Sequence, residues 1–443
     1  MEEVFVVPVE VRCHASRVNV AELSKVITSF IRCQHTVIHP GQLLSLQGAS
    51  ESITCCVEQL RVCDVYCPTS GVPTRGADYT LVMYSVCRNE EPATLRQCEP
   101  HTTGDLALVP DSVPHCSSAL PFCLILQLPH QHLDGLWESL HYGDSLHDSV
   151  KLKRDLLEYV QAVVLFSMVG VRSHTISWNR LLLLHGPPGT GKTSLCKALA
   201  HKLAVRMGTS FTRFLLVEVN AHSLLSRWFS ESGKQVMALF EYIHAVAASP
   251  GHLVCLLVDE AESLAASRKS AMNGHEPSDS IRVVNALLTQ IDTLERRTNV
   301  VVFTTSNITE AIDVAFIDRA DKKVFIGSPG MQARLELLKL GTQELIRCGL
   351  VLPARSFTQE VTPTNAPEPL DAHALQQLRS LAMQCESLSG RTLKKLPFLA
   401  CSEYIGGATA AAALRPITFA SYFQGLTRAL QAELLSRNDM KSS

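Results

Sequence analysis

From Leu181 the chain runs through four leucines and His185 into Gly186-Pro187-Pro188-Gly189-Thr190-Gly191-Lys192-Thr193, and then into an amphipathic stretch from Ser194 onward. A continuous apolar run of that length reads as a buried strand, and the spacing after it reads as a helix. A strand, a glycine-rich loop and a helix in that order belong to an α/β layer, because a parallel sheet needs a helical crossover after each strand.

The neighbouring sequence agrees with that layer. Short apolar runs recur at Phe214 to Val219, Leu253 to Val258 and Val300 to Thr304, separated by helical stretches. This alternation predicts a parallel sheet covered on both faces. Beyond Ser328-Pro329-Gly330, helical periodicity takes over at Leu335 to Leu345, Ala374 to Gln384, Arg391 to Leu399 and Phe419 to Leu435, which predicts a small helical domain. Before the sheet, Leu133 to Tyr142 and Leu152 to Phe166 carry apolar residues at helical spacing and are expected to be helices. Residues 1 to about 125 alternate short apolar runs such as Val4 to Val11 and Thr80 to Val86 with turn clusters, a mixed α/β pattern. The expected organisation is an N-terminal domain over 1–125, a large α/β domain over 126–328 and a helical domain over 329–443. Pro353 to Pro369, rich in Pro and Thr, reads as a loop, and Ala408 to Ala413 as a minor low-complexity patch.

The eight-residue loop fits the G-x-x-x-x-G-K-[ST] pattern in its required context. Glycines let successive N–H groups of Gly186, Pro187, Pro188, Gly189, Thr190 and Gly191, prolines excepted, point inward and cradle phosphate oxygens. The helix N-terminus adds its positive end, Lys192 reaches the β and γ phosphates of ATP, and Thr193 offers a hydroxyl to Mg²⁺. Leu256-Leu257-Val258-Asp259-Glu260 ends a buried strand at the sheet edge where α/β proteins bind ligands. Asp259 is expected to hold Mg²⁺ through water, and Glu260 to polarise the attacking water as general base.

Composition excludes other classes. With 40 basic and 42 acidic residues the net charge is −2, so no global field draws the chain to nucleic acid or anionic lipid. No apolar run is long enough to cross a bilayer, Leu120 to Leu128 being the best, and the acidic N-terminus is unlike a secretory signal. Of 15 cysteines, ten lie at or before Cys123, yet Cys55, Cys56, Cys63 and Cys67 lack the paired spacing of zinc sites. Packing is the expected role.

The motifs together resemble AAA+ ATPases. More narrowly, ISWNRLLLLHGPPGTGKTSLCKALA, SRWFSESGK, EPSDSIRVVNALLTQID, TTSNITEAIDVAFIDRAD and SGRTLKKLPFLA resemble the pachytene checkpoint protein 2 family, also called thyroid receptor-interacting protein 13, from about His132 to Phe398. The resemblance implies an AAA+ module, a parallel sheet with flanking helices plus a small helical lid, behind an N-terminal domain that recognises substrate or adaptor. It implies a homo-hexamer that uses ATP and Mg²⁺ to remodel HORMA-domain proteins, some delivered by an adaptor, in spindle checkpoint signalling and on meiotic chromosomes. Nucleus and cytoplasm, with chromosomes or kinetochores, are the implied locations. Asn307 becomes sensor 1, Arg319 the arginine finger offered to a neighbouring subunit, Arg391 sensor 2 in the lid, and Trp228 with Phe229 the pore loop that grips substrate.

Two other uses of the same core compete with this reading. A nucleic-acid motor or clamp loader would want a basic lining, but Ser226 to Lys234 has only Arg227 and Lys234 as cations beside Glu231. An ATP-binding scaffold without turnover would have no need of both Glu260 and Asn307.

Overall fold

The apolar runs and turn clusters read from the sequence become two main sheets and a set of helices. The computed structural model describes residues 6–14, 20–63, 71–74, 77–87, 123–172, 175–176, 178–221, 232–264, 279–294, 296–308, 314–353, 370–405 and 416–442. By compactness they fall into two units, one of Met1–Trp137, Lys153–Gly186 and Lys192–Phe325, the other of Glu138–Leu152, Pro187–Gly191 and Ile326–Ser443.

In the first unit, the N-terminal part holds β1 (Val6–Cys13), α1 (Val20–Gln34), β2 (Val37–Ile38), β3 (Leu43–Leu44), α2 (Glu51–Thr54), β4 (Val57–Val62), β5 (Val72–Pro73) and β6 (Asp78–Tyr84). Four strands form a sheet in the order β3-β4-β1-β6, with β1 antiparallel to β4 and parallel to β6, and β2 pairs with β5. Strand alternation divides β1: Val7, Val9 and Val11 join Leu23, Ile27 and Ile31 of α1 in one apolar core, while Pro8, Glu10 and Arg12 turn to the other face.

The second sheet has the order β12-β8-β11-β10-β9-β7, built from β7 (Cys123–Leu128), β8 (Leu181–His185), β9 (Arg213–Asn220), β10 (His252–Asp259), β11 (Val300–Ser306) and β12 (Ala320–Phe325). The four apolar runs expected to be strands are β8 to β11. They pair in parallel, as does β12 on β8, but β7 runs antiparallel to β9, so the sheet is not parallel throughout. The expected boundary at residue 125 falls inside β7. Its apolar sequence alone carried no sign of which sheet it would join.

Around this sheet lie α3 (Leu146–Val169), α4 (Lys192–Arg206), α5 (Ser232–Val246), α6 (Asp279–Leu294) and the short α7 (Val314–Arg319). Val236, Leu239, Phe240 and Ile243 of α5 and Val284, Leu287 and Ile291 of α6 pack on Leu181, Leu183, Leu215, Val217, Val254 and Leu256. The alternate residues, among them Leu182, Leu184, Leu216, Leu257 and Phe303, are buried on the other face. The helix after the glycine-rich loop differs from expectation. It begins at Lys192, and Ala198 through Val205 are buried without a break, so over those residues it is enclosed on every face rather than amphipathic.

Leu133 to Tyr142 also departs from the helix its spacing predicted: a 3₁₀ turn over Gln131–Leu133 passes into turns, with Gly135 at φ 75°. Leu133, Trp137, Leu140 and Tyr142 are nevertheless all buried, so the periodicity marked the inward positions but not the backbone.

The second unit is carried by α8 (Met331–Arg347), α9 (Ala372–Gln384), α10 (Gly390–Ile405) and α11 (Phe419–Ser442), which match the four expected helices. Their apolar stripes meet in a core of Leu338, Leu378, Leu381, Leu393, Leu396, Tyr422 and Leu426. The Tyr422 hydroxyl is paired there with that of Thr342 at 3.1 Å. Residues 354–369 and Ala408 to Ala413 lie outside the described residues.

Among the described residues the packing role expected of cysteine holds for half of the cysteines, while Cys33, Cys55 and Cys348 are exposed. Cys13, Cys63, Cys196, Cys255, Cys385 and Cys401 are buried, and burial pushes the Cys255 thiol up to about 12. Among the described residues no group of three or more His, Cys, Asp or Glu side chains is placed to hold a metal ion, and no helix is long and apolar enough to cross a membrane. Cys67 lies outside them.

Candidate nucleotide site

Parallel pairing brings the carboxyl ends of β8, β9, β10 and β11 to one edge of the sheet, where His185 stands against Ser306 and Asp259 against Asn220. From that edge the chain leaves β8 through the glycine-rich loop. The Gly186 N–H donates to the Ser306 carbonyl at 3.2 Å. Gly186, Gly189 and Gly191 have φ of 140°, 75° and 95°, conformations that L side chains rarely adopt, which accounts for glycine at the two positions the motif fixes and at Gly189 between them. The Thr190 hydroxyl donates to the Pro187 carbonyl at 3.0 Å.

Lys192 opens α4, where the N–H groups of a helix's first turn and the helix dipole favour an anion. Its ammonium is buried and donates to the Gly186 carbonyl at 2.8 Å. The adjoining His185 is held below the usual histidine range, first by burial and then by the Lys192 charge, so its neutral form is favoured.

Thr193 donates from its hydroxyl to Oδ1 of Asp259 at 2.9 Å, and the Thr305 hydroxyl donates to the same oxygen. Hydroxyl and carboxylate oxygens in this arrangement suit a hard cation such as Mg²⁺. The next residue, Glu260, adopts φ 61°, a left-handed conformation rare for a residue with a Cβ. Its backbone is pinned on both sides by Thr305, whose Oγ1 accepts from Glu260 N at 3.4 Å and whose carbonyl accepts from Ala261 N at 2.9 Å. The Glu260 carboxylate accepts from the Asn220 amide at 3.1 Å.

Asn307 follows β11 at the same edge. Its backbone N–H and side-chain amide both donate to the Glu262 carboxylate, at 3.1 and 2.8 Å. Arg319 lies at the end of α7, away from these strand ends, in a two-point ion pair of 2.5 and 2.7 Å with Asp292 of α6. In the second unit, the Arg391 N–H opening α10 donates to the Gly189 carbonyl at 3.0 Å, and the Tyr142 hydroxyl donates to the Gly191 carbonyl at 3.2 Å. A Cβ on Gly189 would come within 2.9 Å of the Ser389 hydroxyl, a second reason for glycine there. Trp228 and Phe229 lie outside the described residues.

Asn220, Thr305, Glu262 and Tyr142 are therefore in contact with motif residues although sequence reasoning did not select them. Thr305 lay within the quoted Thr304-Thr305-Ser306-Asn307 segment, and Asn220 is the polar residue that closes β9, but neither carries a spacing signal. Strand register alone brings them to the site.

Comparison with known proteins gives the site a context. A family model described as ATPase family associated with various cellular activities (AAA) matches residues 182–328, and one described as TRIP13-like, AAA+ ATPase lid C-terminal domain matches residues 330–434. The chain is 52% identical over 285 residues to the pachytene checkpoint protein 2 homolog of Oryza sativa subsp. indica, covering 62% of this chain and 59% of that one. It is 51% identical to the Arabidopsis thaliana homolog, covering 62% and 60%. It therefore spans about 60% of the length of these two plant relatives. Against the Homo sapiens homolog it is 44% identical over 315 residues, covering 71% of this chain and 70% of that one. Among solved structures, C. elegans PCH-2 superposes with a TM-score of 0.71 at 29% identity, covering 97% of this chain and 100% of that one.

Proposed function

The chain belongs to the pachytene checkpoint protein 2 family of AAA+ ATPases, and on that premise we propose that it hydrolyses ATP with Mg²⁺ to remodel HORMA-domain proteins as a ring of six subunits. The observation that carries the reading is one constellation. Lys192 and Thr193 open a helix behind a three-glycine loop, and Thr193 is hydrogen-bonded to Asp259 beside the strained Glu260.

In this reading the loop N–H groups, the end of α4 and Lys192 bind the phosphates and orient the γ-phosphoryl group. Thr193 and Asp259 hold Mg²⁺, which supplies positive charge against the phosphate oxygens when bound. Glu260 accepts the proton of the attacking water, with Asn220 holding its carboxylate until then. Asn307 reports on the γ-phosphate, Arg391 belongs to the lid, and Arg319 serves the neighbouring subunit's site after leaving Asp292. Trp228 and Phe229 grip the client. The clients place the chain in spindle checkpoint signalling and meiotic chromosome synapsis, in nucleus and cytoplasm, with an adaptor delivering some of them.

The deciding experiment uses Glu260→Gln, which keeps the side chain's shape and removes the base. Phosphate release is expected to fall by roughly 10²-fold or more while ATP affinity by calorimetry is retained. The ATP-locked variant is expected to retain a HORMA-domain protein in a pulldown that the wild type releases. Undiminished turnover would move catalysis away from Glu260.

A further inference from the structure

Glu10 is a carboxylate on the N-terminal sheet with only 2% of its surface exposed, an unusual place for an acid. It lies on the face of β1 opposite the apolar core. There Oε2 meets the ammonium of Lys202 at 2.7 Å, and Oε1 meets the guanidinium of Arg206 at 3.1 Å. Both cations belong to the last turns of α4, and their side chains are 6% exposed. The Lys202 ammonium also lies 6.0 Å from the centre of the Trp137 ring, and Arg206 contacts the Cys63 sulfur beyond the end of β4. Two residues along β1 the sign is reversed, for Arg12 pairs with Asp134 on the segment after β7 and with Glu58 of β4.

The N-terminal sheet is thus seated on the end of α4 by the buried Glu10 between Lys202 and Arg206, and on the segment after β7 by Arg12 and Asp134. Such pairs add little net stability, because each ion is taken out of water, but they penalise any other register of the two surfaces. The helix they grip opens with Lys192 and Thr193, about 21 Å away at its other end. Ala198 to Val205 of α4 is buried without a break, and a continuous hydrogen-bonded helix joins Arg206 to Lys192.

We propose that Glu10 is a positioning residue that couples the N-terminal sheet to the nucleotide site through Lys202 and Arg206 of α4. The coupling rests on the ATPase reading above and adds the route by which occupancy of the nucleotide site is communicated to the N-terminal domain. Coupling is reciprocal, so a contact that steadies the phosphate loop makes bound nucleotide steady β1 and β4 in turn.

The test uses the full chain with ADP as the probe, read by hydrogen exchange and by titration. In the wild type, ADP is expected to slow exchange in residues 186–199 and also in β1 and β4. In Glu10→Gln the second response is expected to disappear, the KM for ATP to rise by about fivefold or more, and kcat to stay within about twofold. Purely structural damage would lower kcat and melting temperature together. Two results would overturn the coupling: ADP protecting 186–199 but not β1 and β4 in the wild type, or Glu10→Gln keeping the wild-type KM. The wild-type comparison stands even where the variant does not fold. Failure of the wild type to bind ADP at all would remove the nucleotide reading itself, and the coupling with it.

Discussion

Glu260 is held in a conformation that costs ~1 to 3 kcal/mol for a residue with a side chain, and Thr305 and Asn220 are the groups that keep it there. The Asn220 amide donates to the Glu260 carboxylate and so ties up an oxygen that would otherwise be available to the attacking water. Asn220→Ala is therefore expected to raise basal phosphate release severalfold with ADP affinity unchanged. A fall in basal release would instead make Asn220 part of the machinery that orients the water. Histidine supplies a pH test. His185 and His244 are both held below the ordinary value, first by burial and then by Lys192 and by Arg297 respectively. The folded chain favours their neutral forms, so the unfolded chain binds more protons as pH drops below about 6.5. Their contribution to stability is present above that pH and is lost below it, so the melting temperature is expected to fall on acidification from about pH 7 to 5.5. Arg297 donates to Nδ1 of His244, which leaves Nε2 to donate to Thr293. His244→Gln cannot titrate and is expected to flatten that slope.

At the scale of elements, helix packing in the second unit depends on one close approach. A Cβ added to Gly425 of α11 would come 2.5 Å from the Ala400 carbonyl of α10, backbone against side chain, with no flexible group to yield. Gly425→Ala gains helix propensity but forces the two helices apart, and the second effect is larger. Melting of the purified chain should show a net loss of about 1 to 3 kcal/mol. Equal or greater stability would mean that the pair can slide. The same scale shows where periodicity succeeds and fails as a guide. In α8 to α11 an apolar stripe met one shared core, so spacing and structure agree. For α4 the surroundings bury every residue from Ala198 to Val205, and in 133–142 a glycine at φ 75° turns the chain while the apolar side chains are still buried.

At the scale of the whole molecule, the proposed ring makes Arg319 and Glu260 complementary parts of one site supplied by two subunits. Within one chain Arg319 is instead paired with Asp292, so the proposed finger role requires it to exchange that partner on assembly. Arg319→Ala and Glu260→Gln are each expected to be nearly inactive alone. Mixed in one ring they should recover part of the phosphate release, because some interfaces then combine an intact Glu260 with an intact Arg319. No recovery on mixing would assign Arg319 to its own chain, as a structural partner of Asp292.

The sequence by itself determined the α/β layer, the helical C-terminal domain, and the Gly186–Thr193, Asp259 and Glu260 motifs. Each of these is written in contiguous residues, either as a periodicity or as a loop whose glycines have no substitute. The tertiary structure alone decided the antiparallel place of β7, the burial of α4, and the partners Asn220 to Glu260, Asn307 to Glu262, Arg319 to Asp292 and Glu10 to Lys202. Asn220 and Glu260 are 40 positions apart and Glu10 and Lys202 are 192 apart. No local pattern spans such distances. Strand register and the packing of one layer on another bring these side chains together, and both come from minimising exposed apolar surface over the entire chain.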